Sequence, residues 1–182
     1  DMFDIMGEYG KMPLPPYVKR KENDGIIDFD RYQTVYAEMP GSIAAPTAGF
    51  HFTEELLSTI RQIGVHIVKI TLHIGVGTFF LIKSQNVQDH RMHGEYYHIT
   101  PEARAFIRKA REESRRIIAC GTSVVRTLES FYIGHGGVPL VGKTELFIYP
   151  GHTFKVVDAL ITNFHLPRST PLLLVSAFAG SG

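Results

Sequence analysis

Arg116-Ile117-Ile118-Ala119-Cys120-Gly121-Thr122-Ser123-Val124-Val125-Arg126 is the stretch whose reading decides the fold. Its first half is a short apolar run suited to a buried strand. Gly121 then punctuates the chain, and Thr122 and Ser123 are residue types that favour the start of a helix. Val124, Val125 and Leu128 follow at helical spacing. A buried strand over residues 116–120 is therefore expected to feed directly into a helix over residues 123–132. A strand turning straight into a helix is the recurring step of an α/β protein.

Upstream, Thr53 with Glu54 and Glu55 reads as an N-cap with an acidic first turn. Leu56, Leu57, Ile60 and Ile63 supply an apolar face, and Gly64 closes the helix. Residues 65–72 then read as a strand, with further short strands at 79–82 and 96–99. Thr100-Pro101-Glu102 combines a cap, a proline at the first helical position and an acid. Downstream, residues 145–149 and 154–161 read as strands, and Ser169-Thr170-Pro171 opens a final apolar helix. These successions predict an α/β domain over residues 41–182, with a mostly parallel sheet and flanking helices. Ligands would then bind beyond the carboxyl ends of the strands.

Residues 1–40 read as a leading linker. The three prolines of Met12-Pro13-Leu14-Pro15-Pro16-Tyr17 exclude a helix interior. Residues 19–25 read as an exposed turn, and residues 30–38 as a short helix with Tyr32 and Tyr36 on one face. Residues 135–137 mark a loop.

Composition narrows the class. With 44% hydrophobic and 20% charged residues, the chain is globular in type rather than disordered. The net charge of +1 points to no partner, so nucleic-acid affinity has to come from local clusters. A lone cysteine, Cys120, excludes an internal disulfide and fits a reducing compartment. It reads as a small buried hydrophobe, with a nucleophile as the alternative. Residues 172–179, the longest apolar stretch, fall far short of the roughly 20 residues that span a bilayer. No signal pattern opens the chain, so a cytoplasmic location without membrane contact is expected. The chain begins with Asp1, and part of a longer protein is expected.

Five turns carry the chemistry. Pro46-Thr47-Ala48-Gly49-Phe50-His51-Phe52-Thr53 ends at a helix amino terminus, which favours an anion, or is simply a tight turn and a cap. His73-Ile74-Gly75-Val76-Gly77-Thr78-Phe79 lets backbone approach a ligand, but lacks the third glycine of a dinucleotide fingerprint. His73 reads either as a general base or as a packed histidine. His90-Arg91-Met92-His93-Gly94-Glu95 invites a metal, yet its spacing matches no standard zinc pattern. Hydrogen bonding or proton transfer suits it better, and no metal is expected. Gly121-Thr122-Ser123-Val124-Val125-Arg126 offers a cradle for an oxyanion or for ribose hydroxyls, with Arg126 and Glu129 at pairing distance on the helix. Thr162-Asn163-Phe164-His165-Leu166-Pro167-Arg168-Ser169-Thr170 holds more side-chain donors than a cap requires. Separately, Arg104, Arg108, Arg111 and Arg115 form one stripe of a helix. Such a stripe tracks phosphates in an RNA-binding module, or is a solvated face beside Glu112 and Glu113.

Taken together, these motifs resemble the S-adenosylmethionine:tRNA ribosyltransferase-isomerases of queuosine biosynthesis. The likeness runs from Met12-Pro13-Leu14-Pro15-Pro16-Tyr17 through Arg31-Tyr32-Gln33-Thr34-Val35-Tyr36 and Ala45-Pro46-Thr47-Ala48-Gly49. It continues to Phe147-Ile148-Tyr149-Pro150-Gly151, residues 162–167 and Leu174-Val175-Ser176-Ala177-Phe178. The resemblance implies an enzyme that uses S-adenosylmethionine as a ribosyl donor. Its acceptor is an aminomethyl-deazaguanine base at the wobble position of tRNA. Epoxyqueuosine forms, and adenine and methionine leave. It also implies a longer protein that binds tRNA, whose inserted β-barrel domain is expected to be missing here; a monomer is expected. Under this reading His51, His73, His93 and His165 are the proton-handling pool. Gly75, Gly77, Thr78, Gly121, Thr122 and Asn163 shape the donor pocket, and Arg104, Arg108, Arg111 and Arg115 meet RNA. The alternative is a non-catalytic RNA-binding module using that stripe. The chain departs from the family pattern at Val124, where a hydroxyl is usual, and at Gly94 and Pro171.

Overall fold

Local chemistry sets the helix boundaries. The Thr53 hydroxyl accepts from the Leu56 amide at 3.2 Å and starts α1 (Glu54–Gln62). Thr100 does the same for Ala103 at the head of α2 (Pro101–Glu112), where Pro101 occupies a position that needs no donor. Ser169 caps α4 (Thr170–Ala179) through Leu172. α3 (Thr122–Ile133) starts instead at Gly121, whose φ of +102° is reached without strain only by glycine. This computed structural model describes residues 5, 8–10, 13–15, 18, 31–133 and 140–180. The turn expected at 19–25 and the loop at 135–137 lie outside the described residues.

Among the described residues, five strands form two sheets. β1 (Thr71–His73), β2 (Glu95–His98) and β4 (Val141–Thr144) make a three-stranded antiparallel sheet with β2 in the middle. Thr71 faces His98, and Glu95 faces Thr144. β3 (Ile118–Cys120) and β5 (Ala159–Ile161) pair in parallel, with Ile118 opposite Ala159. The expectation of a mostly parallel sheet is therefore corrected, because only the smaller sheet is parallel. Between β1 and β2 the chain makes two short 3₁₀ turns and no crossover helix, so β2 returns antiparallel. The alternation in β2, with Glu95 and Tyr97 buried and Tyr96 and His98 exposed, is the mark of a sheet wet on one side.

Other strands are shorter than their sequence pattern. Of residues 65–72 only the end is paired, and 79–82 form no strand. There the Ile82 amide donates to the Arg168 carbonyl at 2.8 Å. The strand expected at 145–149 lies upstream, at β4. Residues 154–161 are paired only from Ala159, because the amides of Lys155, Val156 and Val157 donate to the Glu129 carboxylate at 2.8–3.0 Å. Residues 32–38 run as bends and a turn rather than the expected helix.

The main core lies between the parallel pair, α3 and α4. It contains Ala119, Val125, Leu128, Ile148, Val156, Val157 and Leu174. A second cluster joins Tyr97 and Ile99 to Ala103 of α2, with Phe131 of α3 packed against it. α3 thus touches both sheets.

Candidate active site

β3 and β5 run in the same direction, so the turns that follow them emerge side by side. The Gly121 amide donates to the Ile161 carbonyl at 2.9 Å and locks the two exits together. The 3₁₀ turn Thr47–His51 is tied to this edge from two directions. The Thr47 hydroxyl donates to Asn163 Oδ1 at 3.1 Å. The Tyr36 hydroxyl lies against Gly49, where a Cβ would come within 1.9 Å of it, and also neighbours the Cys120 thiol. Burial, helped by that thiol, pushes the Tyr36 phenol up to about 12. Burial pushes the Cys120 thiol up as well, so the thiol stays protonated and serves as a small packing group.

A cleft opens where α3 and α4 begin. Thr78, Thr122, Ser123 and Thr170 line it with hydroxyl groups, and Met92, Phe147 and Leu174 with apolar surface. The buried pair Glu95 and Arg126 borders it. Arg126 Nη1 donates to Glu95 Oε2 at 2.6 Å, and its Nε donates to the Leu146 carbonyl at 2.9 Å. Burial pushes the Glu95 carboxyl up while the guanidinium pulls it back, and the guanidinium itself stays charged. The pairing of Arg126 with Glu129 expected from their spacing is not formed. Glu129 is fully buried and holds three backbone amides instead.

The four histidines occupy different settings. His165 Nε2 shares a hydrogen bond with the Thr162 hydroxyl at 2.9 Å. Burial pulls His165 below its ordinary value, so it is neutral at neutral pH. His51 ends the 3₁₀ turn and is exposed. His93 is exposed too and meets Phe80 edge-on at 5.4 Å. Its ring rests on Gly77, where a Cβ would lie 2.5 Å from Cγ. His73 packs on Gly41, and its Nδ1 is buried without a partner among the described residues.

The structure thus brings Thr78 and Thr122 into one cleft, Gly77 against His93, and Asn163 against the turn that ends in His51. Gly75 has open space where a Cβ would go. His90 meets Phe147 edge-on at 5.0 Å, and among the described residues no three His, Cys, Asp or Glu side chains converge to hold a metal. Sequence reasoning missed Tyr36 as a member of this edge, whereas Glu95, Ser123 and Thr170 lie within the turns it singled out.

The arginine stripe expected on one helix is cut short, because α2 ends at Glu112 and Ser114 takes a φ of +53°, which leaves Arg115 beyond the helix. Arg104 and Arg111 lie over Phe131 and Tyr132, at 5.9 and 4.9 Å. Arg108 pairs with Glu112, and Arg115 with Glu113.

Residues 1–182 match the family described as Queuosine biosynthesis protein. The chain belongs to that family. It is 53% identical over 177 residues to the S-adenosylmethionine:tRNA ribosyltransferase-isomerase of Carboxydothermus hydrogenoformans, covering 97% of this chain and 51% of that protein. The protein of the same name from Moorella thermoacetica is 54% identical, with the same coverage. A crystal structure of S-adenosylmethionine tRNA ribosyltransferase from Thermotoga maritima is 44% identical, with a TM-score of 0.57 over 73% of this chain and 41% of that one. The chain spans about half the length of the curated relatives it matches.

Proposed function

We propose that the protein carrying this chain transfers the ribosyl moiety of S-adenosylmethionine to the aminomethyl-deazaguanine base at the tRNA wobble position. The moiety is rearranged to give epoxyqueuosine, and adenine and methionine leave. The observation that carries this reading is identity above 50% over 97% of the chain to enzymes bearing that name. The protein works as a cytoplasmic monomer, and its donor site is the edge described above.

The chemistry needs a base for the proton beside the sulfonium, a donor to help adenine depart and polar groups to hold the sugar. His51, His73, His93 and His165 are the proton-handling pool. His165 is best supported as the base, because burial keeps it neutral and Thr162 fixes its ring. Gly77, Thr78, Gly121, Thr122 and Asn163 shape the donor pocket, with Gly75 at its open rim. The test is incubation of the intact protein with S-adenosylmethionine and tRNA bearing the precursor base. Adenine release is expected, and its absence sinks the proposal. Replacing each histidine by alanine tests the pool, and near-normal turnover in all four variants removes it.

A further inference from the structure

Of the helices α1–α4, three use a Thr or Ser hydroxyl to cap their first turn. α3 begins behind Gly121, which has no side chain to offer. The first-turn amides of Thr122, Ser123 and Val124 have no intrahelical acceptor, and no described side chain caps them. They lie at the cleft that Thr122 and Ser123 line. From the facing helix, Thr170 reaches the same cleft. It is only 8% exposed, and its hydroxyl has no partner among the described residues. The hydroxyls of Thr78, Thr122 and Ser123 likewise have no partner among the described residues. Glu95, the one acid lining the cleft among the described residues, is matched by Arg126. The cleft is therefore rich in unused donors and, among the described residues, holds no free negative charge.

We infer that this cleft binds a carboxylate, namely that of the methionyl end of the donor, with Ser123 and Thr170 as binding residues. The inference rests on the proposed use of S-adenosylmethionine. A helix amino terminus with converging hydroxyls suits a single negative charge. Arg126, already matched by Glu95, is not free to meet a second one. A carboxylate ends its chain and enters a narrow cleft head-on. A phosphodiester, flanked by sugars on both sides, does not.

The experiment measures binding of S-adenosylmethionine and of its decarboxylated analogue to the intact protein, in wild type and in Thr170→Val and Ser123→Ala variants. Loss of one hydrogen bond to a charged group predicts roughly tenfold weaker binding of S-adenosylmethionine in each variant. Affinity for the analogue and for tRNA stays unchanged. Equal loss for both small ligands, or no preference of the wild type for the carboxylate, overturns the inference. So does a loss confined to tRNA, which would make the anion a phosphate. If the wild type binds neither small ligand, the functional reading itself fails.

Discussion

His165 shows how one side chain links burial, protonation and chemistry. Burial lowers its proton affinity below the ordinary 6.5. Between that value and the lower folded one, the unfolded chain binds more protons than the folded one. Stability is therefore full above about pH 6.5 and falls as pH drops through the window below it. His90, lowered first by burial and then by His93, adds to the same slope. The urea midpoint of the wild type should drop between pH 7.5 and 5, and His165→Gln should flatten part of that drop. An unchanged slope in the variant would contradict the assignment. Asn163 makes a second residue-scale case. Asn163→Ala removes the acceptor for Thr47 and should cost about 0.5–1.5 kcal/mol in denaturant unfolding. His165 and Asn163 were legible because donors crowd residues 162–170. Their partners differ in this respect: Thr162 is three residues from His165, whereas Thr47 is 116 residues from Asn163, a separation local pattern does not reach.

At the scale of elements, helices were readable because their start signals are local. Thr53, Thr100 and Ser169 each act within three residues of themselves. Strands were less so, since pairing is settled by distant partners. Residues 154–161 have strand composition, yet Glu129 takes the amides of residues 155–157 and leaves only three residues to pair. Likewise the β3–α3 succession was legible, but not the antiparallel sheet beside it, whose direction depends on a segment without regular periodicity. α2 supports a separate prediction. Arg104, Arg108 and Arg111 of α2, and Arg115 just beyond it, have aromatic or acidic neighbours, and we propose that these arginines contact tRNA. Changing Arg104, Arg108, Arg111 and Arg115 together to Gln should then weaken tRNA binding and make it less salt-dependent. The logarithmic slope should fall by about 0.7–0.9 for each phosphate no longer neutralised. An unaltered slope assigns the stripe to solvent.

Across the whole molecule, α3 is the element that holds the two sheets in register. Val125 and Leu128 pack in the core beside the parallel pair. Arg126 reaches Glu95 of the antiparallel sheet, Ser130 bonds Thr144 of β4, and Glu129 fixes the approach to β5. The cleft lies where these ties meet, so its shape depends on contacts that touch no ligand. Arg126→Met leaves the Glu95 carboxylate buried and unmatched. It should cost about 3–5 kcal/mol in urea unfolding, with disruption of the proposed donor site as a consequence. Adding Glu95→Leu removes the stranded charge and should recover much of that stability. Recovery should remain incomplete, because the Leu146 carbonyl is left without the Arg126 Nε donor. A double variant no more stable than Arg126→Met would show that the ion pair is not what couples the sheets. Full recovery of stability without recovery of donor binding would separate the pair's part in the cleft from its part in the fold.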